Sequence, residues 1–263
     1  MAQGKKKPRT YDQAKIRAAV TAQFGHVARA VGELTPEQLA RPSGLGEWSV
    51  AELAAHVAWI ADSLALGLAR PPAAVAELTV VEWPFATASL AGKISEAARE
   101  TLTGAPLPEL YERAGARLAE ALEAHPGSRV LDLWIGDMTL ADFLVTRTVE
   151  LVVHTDDLNR AAGLDIPLER QALAACTRLL ADALAFKAPG GSVEVRVPPF
   201  AVVQCIEGPR HTRGTPPNVV ETDPLTWIRL ATGRTGWAEA LEDARISASG
   251  ERADLSALLP VMS

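Results

Sequence analysis

Glu150 and His154 stand four residues apart in the stretch from Thr139 to Gly163, TLADFLVTRTVELVVHTDDLNRAAG. At about 100° per residue a helix sets them side by side, with Arg147 and Asp157 completing the stripe. A carboxylate beside an imidazole can supply two ligands to a metal. It can also be a plain hydrogen-bonded pair, since polar i,i+4 pairs are common on helices. A third residue, His56, lies at the edge of an apolar stripe made by Leu53, Val57, Ile60 and Leu64. An inward-leaning imidazole must find a partner or bear its desolvation; a backbone carbonyl would serve, and so would a metal. If the two segments are bundle neighbours, His56 meets Glu150 and His154. Two imidazoles and one carboxylate leave a coordination position for water. That suits a catalytic site, whereas structural sites are usually closed by four protein ligands. A metal there would lower the pKa of a bound water or thiol and supply a nucleophile at neutral pH. Asp157, one turn beyond His154, either orients a ligand from behind or is a solvated acid near the helix end.

These side chains need helices to hold them. Thr139 is the expected N-cap of the central helix, with Asp142 at N3, Met138 and Phe143 as a hydrophobic staple, and Gly163 as the stop. Ser49-Val50-Ala51-Glu52 reads as a capping box that opens the helix carrying His56. Pro71 and Pro72 end it. Tyr11 to Leu34 reads as a first helix from its apolar steps of three and four, and Thr35-Pro36-Glu37-Gln38 starts a short one. Trp83-Pro84 reads as loop. Further helices are expected from about Ala86 to Leu102 and, after Pro106 and Pro108, to about Ala124. Four long helices with short extras suit a bundle.

Beyond residue 165 the composition changes. Glu169 to Phe186 reads as helix, and Ser192 to Val197 alternates as a half-buried strand. Ala201 to Ile206, Asn218 to Glu221 and Arg245 to Ser249 are further strand candidates. Asp223-Pro224 opens a helix to about Thr232, Trp237 to Leu241 is a short helix, and Ala253 to Leu259 is read as a last one. The expected architecture is therefore α plus α+β. It comprises a basic disordered tail over 1–10, a four-helix bundle over 11–165 with the metal site, and a smaller α+β domain over 166–263.

Composition narrows the classes. The chain has 263 residues, 48% hydrophobic and 22% charged, with a net charge of −6. These are ordinary globular values, and the negative balance argues against a nucleic-acid partner. Cys176 and Cys205 form no spacing motif and read as buried thiols in a reducing compartment. The basic N-terminus has no apolar stretch after it, so no signal peptide is expected. No run reaches the roughly 18–20 apolar residues of a membrane span.

Gly46-Glu47-Trp48-Ser49-Val50-Ala51-Glu52-Leu53-Ala54-Ala55-His56 resembles the Trp-Ser/Thr-Val-x-x-Leu-x-x-His signature of DinB-like bundles. The branch it is similar to is the mycothiol-dependent maleylpyruvate isomerase family. Arg147 to Leu158 resembles that family's second signature, Arg-x-x-Glu-x-x-x-His-x-x-Asp-Leu. The resemblance implies that His56, Glu150 and His154 bind a divalent metal, usually zinc, with mycothiol as thiol co-substrate. Trp227-Ile228-Arg229-Leu230-Ala231-Thr232-Gly233-Arg234 looks like part of a sterol-carrier-like domain, and implies that Arg234 reaches the metal site to hold a substrate carboxylate. The segments 71–92 and 207–217 look particular to this chain, and no counterpart is evident for the basic residues that the isomerases place mid-bundle.

The implied activity is a metal-dependent isomerase or thiol S-transferase acting on a small electrophilic, anionic substrate. Mycothiol use implies an actinobacterial cytoplasm. Two other classes fit the residues. One is a sterol-carrier-like protein that binds an apolar ligand or lipid, with a structural or vestigial metal site. The other is a metal-dependent hydrolase.

Overall fold

The computed structural model describes residues 9–87, 91–209 and 216–262. Residues 1–8 of the basic tail, residues 88–90, residues 210–215 and residue 263 lie outside these. Helix α1 (Gln13–Gly32) starts on Asp12, whose carboxylate accepts from the Lys15 amide, and it buries Ile16, Val20, Phe24, Val27 and Val31. A single turn, α2 (Pro36–Leu39), follows a Thr35–Gln38 capping box. Helix α3 (Val50–Ala69) opens on a second capping box. There the Ser49 hydroxyl accepts from the Glu52 amide, and the Glu52 carboxylate accepts from the Ser49 amide. Leu53, Val57, Ile60 and Leu64 are fully buried, each contributing about 1.5–3 kcal/mol. By length and composition α3 is also apolar enough to cross a membrane, which was not expected; most of that stretch is buried in the bundle.

Trp83-Pro84, expected as loop, opens a short helix, α4 (Trp83–Ala86), because proline fits a first turn that needs no amide bond. Helices α5 (Ala91–Gly104) and α6 (Leu107–Ala124) follow. A two-residue hairpin, β1 (Val130–Leu131) with β2 (Met138–Thr139), then delivers the chain to α7 (Leu140–Ala162). The Thr139 hydroxyl accepts from the Asp142 amide. Gly163 closes α7 at φ 69° with its amide on the Asn159 carbonyl, a left-handed cap that glycine adopts without a Cβ penalty. Helices α1, α3, α6 and α7 pack around one core, with α5 against α3.

The second half begins with α8 (Arg170–Lys187). It continues through β3 (Val193–Val197), β4 (Ala201–Cys205), β5 (Val219–Thr222), α9 (Pro224–Ala231), α10 (Trp237–Glu242) and β6 (Ile246–Ser249). The sheet order is β4-β3-β5-β6. β3 runs antiparallel to β4, with Val195 opposite Val203, and parallel to β5, while β5 and β6 are antiparallel. The alternation read from the sequence is met, since Val193, Val195 and Val197 are all buried. α8 joins the halves, packing on α1 and α7 from one side and on β4 and α9 from the other. Both cysteines are free and buried.

The last expected helix is corrected. Only Ser256–Leu258 forms a helical turn, of the 3-10 kind. Asp254 spends its side chain on the Ser256 amide, and Pro260 lacks the N–H that would carry a helix onward.

Candidate metal centre

Because α3 and α7 are neighbours, the three expected ligands converge. His56 Nε2 lies 3.7 Å from Glu150 Oε2, and His154 Nε2 lies 3.2 Å from the same oxygen. One ligand atom from each of the three falls within 4.8 Å of the others. Ligands about 2.0–2.1 Å from a tetrahedral zinc sit about 3.3 Å apart, so these separations bracket that figure. His56 and His154 are 3% and 8% exposed.

The polar arithmetic of the site calls for a cation. Asp157 is fully buried and accepts from His154 Nδ1 at 3.0 Å. Burial alone would raise the Asp157 carboxyl, but His154 and Arg234 outweigh it and hold the group well below the usual carboxylate range. An ionised Asp157 can only accept, so Nδ1 of His154 must donate, and its Nε2 then presents a lone pair toward Glu150. Burial would likewise raise Glu150, yet His154, His56 and Arg147 keep it ionised. Two acceptors thus face each other at 3.2 Å. Either a proton on Nε2 or a metal must lie between them. The raised pKa of His154, driven by Asp157 and Glu150 against burial, is the signature of the first case. The donor set itself suits the second.

His56 does not behave as a carbonyl-bonded core histidine. Its Nδ1 is buried with no hydrogen-bond partner among the described residues, and its Nε2 turns to Glu150. Burial pushes its pKa down to about 4 despite the carboxylate, so it is neutral at pH 7 and free to ligate.

A cavity of about 270 Å³ opens onto His56 and Glu150. Its walls are largely apolar: Trp59, Leu66, Trp83, Leu133, Trp134, Ile135 and Phe143. Two arginines also line it, Arg70 exposed at the rim and Arg147 buried. Arg147, 6% exposed, lies 4.4 Å from the Phe143 ring and 5.8 Å from the Trp83 ring. Burial lowers its pKa, and Glu150 partly offsets that. The sequence placed Arg147 on the ligand stripe without giving it a role. The wall around it was not legible, because Trp83 arrives on the short helix α4, a stretch whose sequence reads as loop.

Arg234 is placed behind the site. Its Nε and Nη2 donate to Asp157 at 3.3 and 2.9 Å, and Nη1 donates to the Thr232 carbonyl. It does not line the cavity; it reaches the triad through Asp157 and His154. A parallel pair was not anticipated. Arg229 grips Asp156 through two bonds of 2.8 and 2.6 Å, and Arg160 bridges both aspartates. The signal was present, since Asp156 and Asp157 are adjacent acids, and Arg229 lies in, and Arg234 just beyond, one short helix.

Residues 20–159 match the family model described as the mycothiol maleylpyruvate isomerase N-terminal domain. Residues 169–261 match the model described as a bacterial SCP ortholog. No curated protein sequence matches. Two solved structures share the fold. A crystal structure of the mycothiol-dependent maleylpyruvate isomerase has TM-score 0.61 at 18% identity, and that of a histidine-to-alanine mutant has TM-score 0.62 at 16% identity. Each likeness covers 94% of this chain and 97% of the other. The first of the two family models spans more than half of the sequence, and on that ground the chain belongs to the mycothiol maleylpyruvate isomerase family.

Proposed function

We propose that this chain is a metal- and mycothiol-dependent isomerase or thiol S-transferase acting on a small electrophilic, anionic acceptor. The observation that carries the reading is the convergence of His56, Glu150 and His154 beside an apolar cavity. In this reading the three residues hold one divalent metal, zinc being the ion best suited to two imidazoles and a carboxylate. The metal would supply a Lewis-acidic position at which a thiol is held deprotonated.

The chain's own residues do the rest. Asp157 fixes His154 with Nε2 toward the ligand position. Arg234 holds Asp157 in place and ionised, so we assign it a positioning role rather than a substrate clamp. Its fork is already occupied. Trp59, Trp134 and Leu133 give the cavity an apolar wall, which would limit water around a reactive adduct once a ligand covers it. With the division we propose near residue 165, the triad sits in the bundle and Arg234 in the α+β domain, so the site is completed across that boundary.

The experiment is turnover of small electrophilic carboxylates, monoanionic enoates as well as the dianion maleylpyruvate, with mycothiol, before and after chelation. Thiol-dependent turnover that chelator abolishes and zinc restores is the expected result. Turnover of acceptor that needs metal but not thiol would overturn it.

A further inference from the structure

We propose that Arg147 is the acceptor-binding residue of this cavity and that its ligand is a monocarboxylate with an apolar body. The inference rests on the proposed function for where the acceptor reacts. The anchoring itself is read without metal or thiol.

Arg147 is a buried cation with unused donors. Its Nε donates to Thr146 Oγ1 at 3.2 Å. Its two terminal nitrogens make no hydrogen bond, and it forms no ion pair, among the described residues. Elsewhere near the site the buried charges are matched, Asp156 by Arg229 and Asp157 by Arg234. A guanidinium taken out of water without an anion is costly; the rings of Phe143 and Trp83 lie beside it, and the residue lines the cavity where a ligand can reach it. A guanidinium with both terminal nitrogens unused can grip a carboxylate through two parallel bonds. Glu150 attracts Arg147 at longer range. Once Glu150 is committed to a metal, Arg147 is left as the unmatched cation of the inner wall.

The rest of the cavity describes the ligand's body. Ile135, Trp59, Trp134 and Leu66 line the same cavity, the two indoles meeting edge to face at 6.1 Å. Trp134 and Leu66 are 48% and 51% exposed, apolar surface that a bound molecule would cover. Among the described residues, a second carboxylate would find no second buried cation there. At the rim, Arg70 faces Asp132 at 3.9 Å with both more than half exposed, and Lys93 is exposed beside Trp134. Solvated charges of this kind contribute little.

The test uses calorimetric titration of the full-length protein, metal-stripped and zinc-loaded, with phenylacetate, phenylacetamide and succinate. Phenylacetate is expected to bind about tenfold or more tightly than the amide or the dianion in both forms. Arg147→Met should reduce phenylacetate to the level of the amide, Arg147→Lys should restore part of the affinity, and Arg70→Met should leave it within about twofold. Equal binding of acid and amide by the wild-type protein would overturn the proposal, whatever the variants do. So would a folded Arg147→Met that binds phenylacetate normally. Loss of the thiol reading with these results intact would remove the proposed reaction and leave the anchor standing.

Discussion

Asp157 holds His154 by Nδ1 at 3.0 Å and Arg234 by a guanidinium at 2.9 Å, so one carboxylate links the α+β domain to a candidate metal ligand. The carboxylate has no solvent contact. Arg234, 77 positions beyond Asp157, is therefore linked to the imidazole through two short bonds, and metal affinity at the proposed site is expected to depend on it.

The ligand triad gives the first expectation. Purified wild-type protein should hold about one divalent metal per chain, and His154→Ala should hold none, since two of three ligands bind such an ion weakly. Elemental analysis after dialysis checks both, with circular dichroism confirming that the variant is folded.

Asp157→Asn should weaken zinc about 10–100-fold without removing a ligand. The amide no longer fixes the tautomer or raises ligand basicity. A competition titration against a chromophoric chelator reads the change. An unaltered affinity would make Asp157 a merely structural partner of Arg234.

The pH dependence follows from His154. Its pKa is raised in the metal-free protein, so the proton that competes with metal persists to higher pH than on a free imidazole. Zinc affinity should therefore climb with pH through the ordinary imidazole range and level off only above it. In Asp157→Asn the competing proton is lost sooner, and the climb should shift to lower pH. For the metal-free fold the sign is opposite. The raised pKa contributes stability fully present below the unfolded value and lost as pH rises through the folded one.

Breaking the bridge should cost stability as well as metal. Arg234→Met leaves a buried aspartate beside His154 with one fewer partner, and about 3 kcal/mol is the expected loss. Asp157→Asn with Arg234→Met should be milder than the sum of the two, because neither charge is then stranded. Urea unfolding of the four proteins completes the cycle.

Local chemistry was the legible part of this chain. Ser49, Thr139 and Gly163 act as the caps that their residue types and neighbours imply, so the two helices that carry the ligands start where the sequence says. The four-residue spacing of Glu150 and His154 and the stripe position of His56 then sufficed to bring three donors together. What depended on packing was less visible. Arg147 gains its meaning from Trp83, which lies 64 positions upstream in a segment without periodicity. Arg234 gains its own from how α9 sits on α8, which turns it to Asp157 rather than to the cavity. The segment Ala253 to Leu259 has helical spacing, but Asp254 and Pro260 limit it to one turn.

The most direct test of the account is the absorption of cobalt-substituted protein with and without mycothiol. A thiolate-to-cobalt charge-transfer band that develops on adding the thiol, and is absent in His154→Ala, is the predicted result. Cobalt that binds at the triad and ignores the thiol would contradict the proposed chemistry and point to hydrolysis or to a carrier with a structural ion.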